Sequence, residues 1–310
     1  MISKSIKKLL TGSLVILAVS TCWADDETVD LILVAGQSNA VGFDTQASQL
    51  PKNETDKKVM FWWRCGDPPA DEYDSSCNQK WTTLRSQPKG KPKLPKTGKN
   101  YGNFKYDEGG FGPEIGLART LLKLQPNRLL AIVKVAYSGT SISFWKPGNT
   151  MKAKRGANGY PAMMSEIKMS IDKAKANGIT LRPRAFIWVQ GESDAYNREG
   201  ISEKYQASLE ALIASLKKDL NAPELISLVG LNTKFGLKSA KDAEAPGSGV
   251  AKIVAAMKKT AAASPFVEYV DDWGCEVVNV AHFGSKGTLE LGKRFAETLI
   301  KTEGLIKKSK

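Results

Sequence analysis

Five apolar runs, separated by amphipathic segments, constrain this chain more than any other feature. Residues 29–34, 129–137, 184–190, 225–231 and 266–270 are almost continuously hydrophobic. A strand with one wet face alternates polar with apolar residues, so runs of this kind belong inside a sheet covered on both sides. Helices are expected between them, over about 111–124, 161–176, 203–220, 249–262 and 285–300. Pro113 stands in the first turn of the first of these, and Leu289, Phe295 and Leu299 give the last an apolar face. Strands alternating with helices predict an α/β fold, a three-layer α/β/α sandwich around a five-stranded parallel sheet. It forms one domain over 25–310, with no internal repeat. Functional groups in such a sheet gather at the C-terminal ends of the strands.

Two regions fall outside this pattern. Lys4, Lys7 and Lys8 precede an apolar stretch, and Thr21-Cys22-Trp23-Ala24 follows with small residues, which reads as a signal peptide over 1–24 and an exported protein, periplasmic or secreted. That stretch is too short to span a bilayer, and no other run approaches the roughly 20 apolar residues a spanning helix needs. Residues 44–110 read as a long irregular insertion with one strand-like run, 58–63. It contains Trp62, Trp63 and Trp81, and a segment in which Lys89, Lys91, Lys93, Lys96 and Lys99 interleave with prolines. In an oxidising compartment Cys65 and Cys77, which bracket a polar loop, are expected to form a local disulfide, with Cys275 left over.

The formal charge is +13, or +10 without the three N-terminal lysines. That surplus suits acidic partners such as anionic glycans, but equally a solvated loop that keeps the protein soluble. No nucleic-acid motif accompanies it, and export argues against such a partner. No Cys/His group has zinc-ligand spacing, so neither a metal nor another cofactor is expected. The oligomeric state is open.

The chemistry concentrates at three strand ends and in one loop. Gly36-Gln37-Ser38-Asn39 ends the first apolar run, where a serine can point its hydroxyl out of the sheet. Ser138-Gly139-Thr140-Ser141 ends the second run, and Gln190-Gly191-Glu192-Ser193-Asp194 the third. The only histidine, His282, precedes the last helix on the same side of the sheet, where a base for Ser38 would stand.

These four blocks, with Trp145 after the second, resemble the SGNH-hydrolase superfamily and within it the sialate O-acetylesterase-like branch that includes family 6 carbohydrate acetylesterases. The resemblance covers most of 29–302 and implies a flavodoxin-like fold and removal of acetyl groups from acetylated sugars or polysaccharides. It implies Ser38 as nucleophile and His282 as general base. The oxyanion hole would be made by the N–H groups of Ser38 and Gly139 and the Gln190 amide. Gln37, Asn39, Trp145 and Glu114 occupy family-typical positions where substrate contact is one role and capping or core packing the other. Many members carry Asp three residues before the histidine, where this chain has Asn279. The counterpart of Glu192 serves as the acid in some family 6 members, so the resemblance implies Glu192 as the triad acid, with Asn279, Asp271, Asp272 and Glu276 as alternatives. A general lipase, esterase or thioesterase of the same superfamily, and a glycan-binding pseudoenzyme, are the competing readings.

Overall fold

The strand Thr28–Gly36 (β1) runs through the middle of a sheet and is buried along all but its first residue. The computed structural model describes residues 28–66, 74–91, 104–150, 158–196, 201–237 and 248–309. The expected signal peptide and Lys93, Lys96 and Lys99 lie outside them. In chain order there follow a one-turn helix α1 (Ser38–Val41), the strands β2 (Val59–Cys65), β3 (Ser75–Ser76) and β4 (Thr82–Thr83), helix α2 (Glu114–Leu124) and strand β5 (Leu130–Ala136). Helix α3 (Gly159–Lys175), strand β6 (Thr180–Val189), the short helix α4 (Glu192–Ala195), helix α5 (Ile201–Asp219), strand β7 (Ile226–Gly230), helix α6 (Ser248–Ala262) and strand β8 (Val267–Tyr269) continue the alternation. The chain closes with a small hairpin, β9 (Val277–Asn279) and β10 (His282–Phe283), and the long helix α7 (Ser285–Ser309).

The strand order is β3-β2-β5-β1-β6-β7-β8, with β4 also paired to β2. The five expected strands are all present and parallel, and β2 joins them as a sixth, parallel to β5 from Val59 opposite Leu130 to Cys65 opposite Ala136. Part of the region read as an irregular insertion thus belongs to the sheet. Its apolar run is as buried as the central strands, and β3 and β4 cover its outer edge in antiparallel pairing. Helices α2 and α7 pack together, as do α5 and α6. Burial of β1 and β5 on both faces is what those layers provide. Helix α7 runs beyond the expected end near residue 300, because Glu303 is held by Arg128 and Arg184, at 2.9 and 2.7 Å.

From β1 the chain goes outward to β2, returns to β5 beside β1, then crosses to β6 on the other side. The strand order therefore reverses around β1, and such a switch point, here the C-terminal ends of β5, β1 and β6, is where open α/β sheets bind their ligands. Gly36 lets β1 and β6 close tightly at this point: an added Cβ would lie 2.0 Å from the Val189 carbonyl oxygen.

The expected disulfide is not formed; Cys65, Cys77 and Cys275 are free, buried thiols. The β2–β3 register explains it. Cys65 faces Ser75, and Cys77 donates its N–H to the Trp63 carbonyl, so the two cysteines are staggered by two residues. Diagonal neighbours across an antiparallel pair stand about 7–8 Å apart, at or beyond disulfide reach.

Candidate active site

Ser38 is the first residue of α1, directly after β1, and is buried. An N–H at the first helical position has no acceptor within its own helix, so the Ser38 amide is available to a bound group. Gly42 ends α1 in the left-handed conformation at φ 81°, and its Cα lies so close to Phe111 that a Cβ there would fall 1.8 Å from the Phe111 carbonyl oxygen. That tight reversal brings Phe43 and Asp44 back against His282.

His282 lies on β10, opposite Asn279 of β9. Its Nδ1 is 2.8 Å from Asp44 Oδ2, and its ring lies 5.1 Å from that of Phe43, centroid to centroid. Asp44 is the carboxylate at the imidazole. It also accepts a hydrogen bond from Asn279 Nδ2 at 2.8 Å and forms an ion pair with Lys105 at the same distance. Burial works to raise the Asp44 carboxyl, but the hydrogen bonds from His282, Lys105 and Asn279 outweigh it and hold the group well below the usual carboxylate range. Asp44 is an anion wherever the protein is folded near neutrality.

This geometry puts Asp44, and not the expected Glu192, in contact with the imidazole. Glu192 is completely buried, and its Oε1 accepts from Asn39 Nδ2 at 2.7 Å and the Asn232 N–H at 3.0 Å, not from the imidazole. Burial pushes its carboxyl upward, and those two hydrogen bonds only partly offset it. Among the alternatives, Asn279 faces His282 but acts as a cap, its Oδ1 accepting the N–H groups of Ala281 and His282. Asp272 is bound to Thr233, and Asp271 accepts the Trp273 N–H. Asp44 and Lys105 were both missed by sequence reasoning, because they stand at the two ends of the region read as an insertion.

The groups expected as oxyanion donors divide. Gly139, at φ 71°, is exposed at the end of β5. The Gln190 amide is committed elsewhere: Nε2 donates to the Thr140 carbonyl at 3.1 Å, to Gln37 Oε1 at 3.3 Å and to Asp194, while Oε1 accepts from Tyr205 at 3.0 Å. Gln190 thus holds the Gly139–Thr140 loop in place instead of facing an oxyanion. Asp194 carries that bracing on to the Ile142 N–H at 2.9 Å.

The four family-typical positions also turn inward. Trp145 is fully buried among Tyr137, Phe144 and Trp188, and its Nε1 donates to Thr140 Oγ1 at 3.1 Å. Glu114 is fully buried against Lys134 at 3.0 Å. Asn39 brackets the histidine, donating to the Ala281 carbonyl and accepting from the Phe283 N–H, both at 3.1 Å. Gln37 is buried as well, and its Oε1 accepts the Ser193 N–H at 3.2 Å.

Burial pushes Asp194 from 3.8 up to about 6, against the lowering hydrogen bonds from Gln190 and the Ile142 N–H. A raised carboxyl keeps its proton longer in the folded protein than in the unfolded one. Its contribution to stability is therefore full below about pH 4 and is lost as pH rises toward 6, by up to about 3 kcal/mol. D194N removes this dependence. The stability difference between the variant and the parent protein, read by urea unfolding at pH 4.5 and pH 7, should move in the variant's favour at the higher pH.

Among the described residues no group of three or more His, Cys, Asp or Glu side chains is placed to hold a metal ion, and no helix is long and apolar enough to cross a membrane. A parallel sheet with a serine at the switch-point strand end, and a carboxylate-bound histidine just before the last helix, defines the SGNH type of α/β hydrolase. The chain belongs to the carbohydrate esterase family described as sialic acid-specific acetylesterase, whose model matches residues 28–301. It is 30% identical over 122 residues to a probable carbohydrate esterase of Arabidopsis thaliana, an alignment covering 37% of this chain and 40% of that relative. Its fold is similar to that of a solved Arabidopsis thaliana protein at TM-score 0.60 and 18% identity, covering 88% of this chain and 98% of the other. It is also similar to NanS, at TM-score 0.55 and 16% identity over 90% and 98% of the two chains. A carbohydrate acetylesterase from Xanthomonas citri shares the fold at TM-score 0.51 and 14% identity, over 86% of this chain and 54% of that one.

Proposed function

We propose that this protein is an exported serine esterase that removes acetyl groups from sugar hydroxyls through an acyl-enzyme, with Ser38, His282 and Asp44 as its triad. The observation that carries the reading is the 2.8 Å contact between His282 Nδ1 and Asp44 in the loop beside Ser38. An anionic acceptor at Nδ1 fixes the proton there and leaves Nε2 with its lone pair to take the Ser38 hydroxyl proton. Ser38 Oγ then attacks the acetyl carbonyl, and the N–H groups of Ser38 and Gly139 stabilise the oxyanion, each donor being worth about 3–4 kcal/mol. The imidazolium passes its proton to the departing sugar oxygen. Water, deprotonated in turn by His282, releases acetate and restores Ser38.

Asn279 and the lysine-rich segment are the two features behind the pseudoenzyme reading, Asn279 because an amide does not stabilise imidazolium by charge. In the reading proposed here Asp44 supplies that charge from another part of the chain, which answers the first of the two. The family membership favours acetylated carbohydrate over longer acyl esters. Acetylxylan and O-acetylated sialic acid are the two substrate types proposed.

Replacing Ser38 by Ala should lower acetate release from p-nitrophenyl acetate and acetylated xylan by about 10^6-fold, as removal of a triad nucleophile does. Activity retained in that variant would overturn the serine mechanism. In a series of p-nitrophenyl esters of increasing acyl length, a sharp preference for acetyl is expected. A preference for longer chains would favour the general esterase.

A further inference from the structure

We infer that Glu192 is a positioning residue, a buried carboxylate that holds two asparagines which together grip the loop carrying His282. One oxygen does this. Oε1 accepts from the Asn39 side chain at 2.7 Å and from the backbone N–H of Asn232 at 3.0 Å. Asn39 in turn binds both neighbours of His282, donating to the Ala281 carbonyl and accepting from the Phe283 N–H. The Asn232 side chain donates to the Val280 carbonyl at 3.2 Å. Two carbonyls and one N–H around the histidine are therefore fixed through a single acceptor on α4.

The arrangement joins elements that are far apart in sequence. Asn39 follows the nucleophile on α1, Glu192 begins α4 after β6, and Asn232 follows β7. All three lie at C-terminal strand ends, and Asn39, Glu192 and Asn232 are each buried. Polar groups withdrawn from water in this way hold their geometry, because breaking any one bond leaves a buried donor or acceptor unsatisfied. The other side of the histidine is held by Asp44. The two carboxylates thus divide the work, Asp44 acting on the ring and Glu192 on the backbone that carries it. Glu192 Oε2 has no hydrogen-bond partner, so the work is done by an accepting oxygen and needs no charge.

The inference rests on the proposed triad, and the test separates the two. His282 is the only histidine, so the untagged full-length protein labelled with 15N-histidine gives one set of ring resonances that reports this site directly. E192A should lower kcat for p-nitrophenyl acetate by about 10^2-fold with KM within about threefold, the cost of a misplaced base. Its ring resonances should broaden or split. E192Q keeps the accepting oxygen, and should restore a single set of resonances and kcat to within about fivefold of the parent. N232A, which removes one grip and leaves Glu192 in place, should show a smaller loss, about tenfold, and guards against a failure of E192A to fold. An E192Q variant as damaged as E192A would make charge the requirement and Glu192 the acid. Unperturbed resonances and kcat in E192A or N232A would also overturn the clamp. If S38A retained activity, the triad would fall while the resonances still judged the clamp.

Discussion

Asp44→Asn should lower kcat for acetate release by about 10^4-fold while leaving KM nearly unchanged. An amide at that position presents an N–H as readily as an oxygen to imidazole Nδ1, and loses the charge that stabilises imidazolium. That combination is what costs about four orders of magnitude in serine hydrolases with an aspartate in this role. The effect should fall on kcat because Asp44 is buried and meets the imidazole at Nδ1. The comparison with Glu192 sharpens the expectation. Both carboxyls are buried, and burial raises both, yet only Asp44 has a cation and an imidazole against it, and only Asp44 is driven below the ordinary range. Two carboxylates pushed in opposite directions by their surroundings are suited to different roles. Asp44, the one held below the ordinary range, is the one against the imidazole. Steady-state kinetics on p-nitrophenyl acetate decide the matter: a loss of less than about tenfold in D44N would remove Asp44 from the triad.

Why Asp44 was invisible to pattern reading is instructive about the rest. The parallel strands could be read because burial on both faces leaves an unbroken apolar run. Ser38, Gly139 and Glu192 could be placed because strand ends in such a sheet share one edge. Asp44 depends on a one-turn helix and on Gly42 in the left-handed region, which turns the chain back onto a loop more than two hundred residues away. Nothing in the spacing of residues records that reversal. The same limit hid the place of β2. Its apolar residues mark it as a strand, but only the crossover between β2 and β5 makes it parallel to β5. For Glu192 the residue could be singled out and its partners could not, since Asn39 and Asn232 meet it only once three strand ends are brought together. Trp145 and Gln190 followed the same course: both were noticed, and both brace the Gly139–Thr140 loop from behind.

Lys134 is the residue whose loss should cost the most stability. It stands in the middle of β5, opposite Val34 on one side and Trp63 on the other, and is fully buried. Its ammonium donates to the Val41 carbonyl at 2.8 Å, Gln87 Oε1 at 2.7 Å and Glu114 Oε1 at 3.0 Å, so its three N–H groups are all used. Glu114 Oε1 also accepts from Gln87 Nε2 and the Gly112 N–H. Removing one member of a buried ion pair leaves the other charge uncompensated, at a cost of about 3–5 kcal/mol, whereas replacing both by apolar groups is often neutral. K134M should therefore lower the urea-derived unfolding free energy by that amount, and K134M/E114L should recover most of it. A loss below about 1 kcal/mol in K134M would mean that the pair does not hold the core. The double variant carries a second result. The Val41 carbonyl ends the helix that begins at Ser38, and in K134M/E114L it still lacks its ammonium partner. Stability regained with kcat still depressed would locate the function of Lys134 in seating α1, and through it the nucleophile, against the sheet.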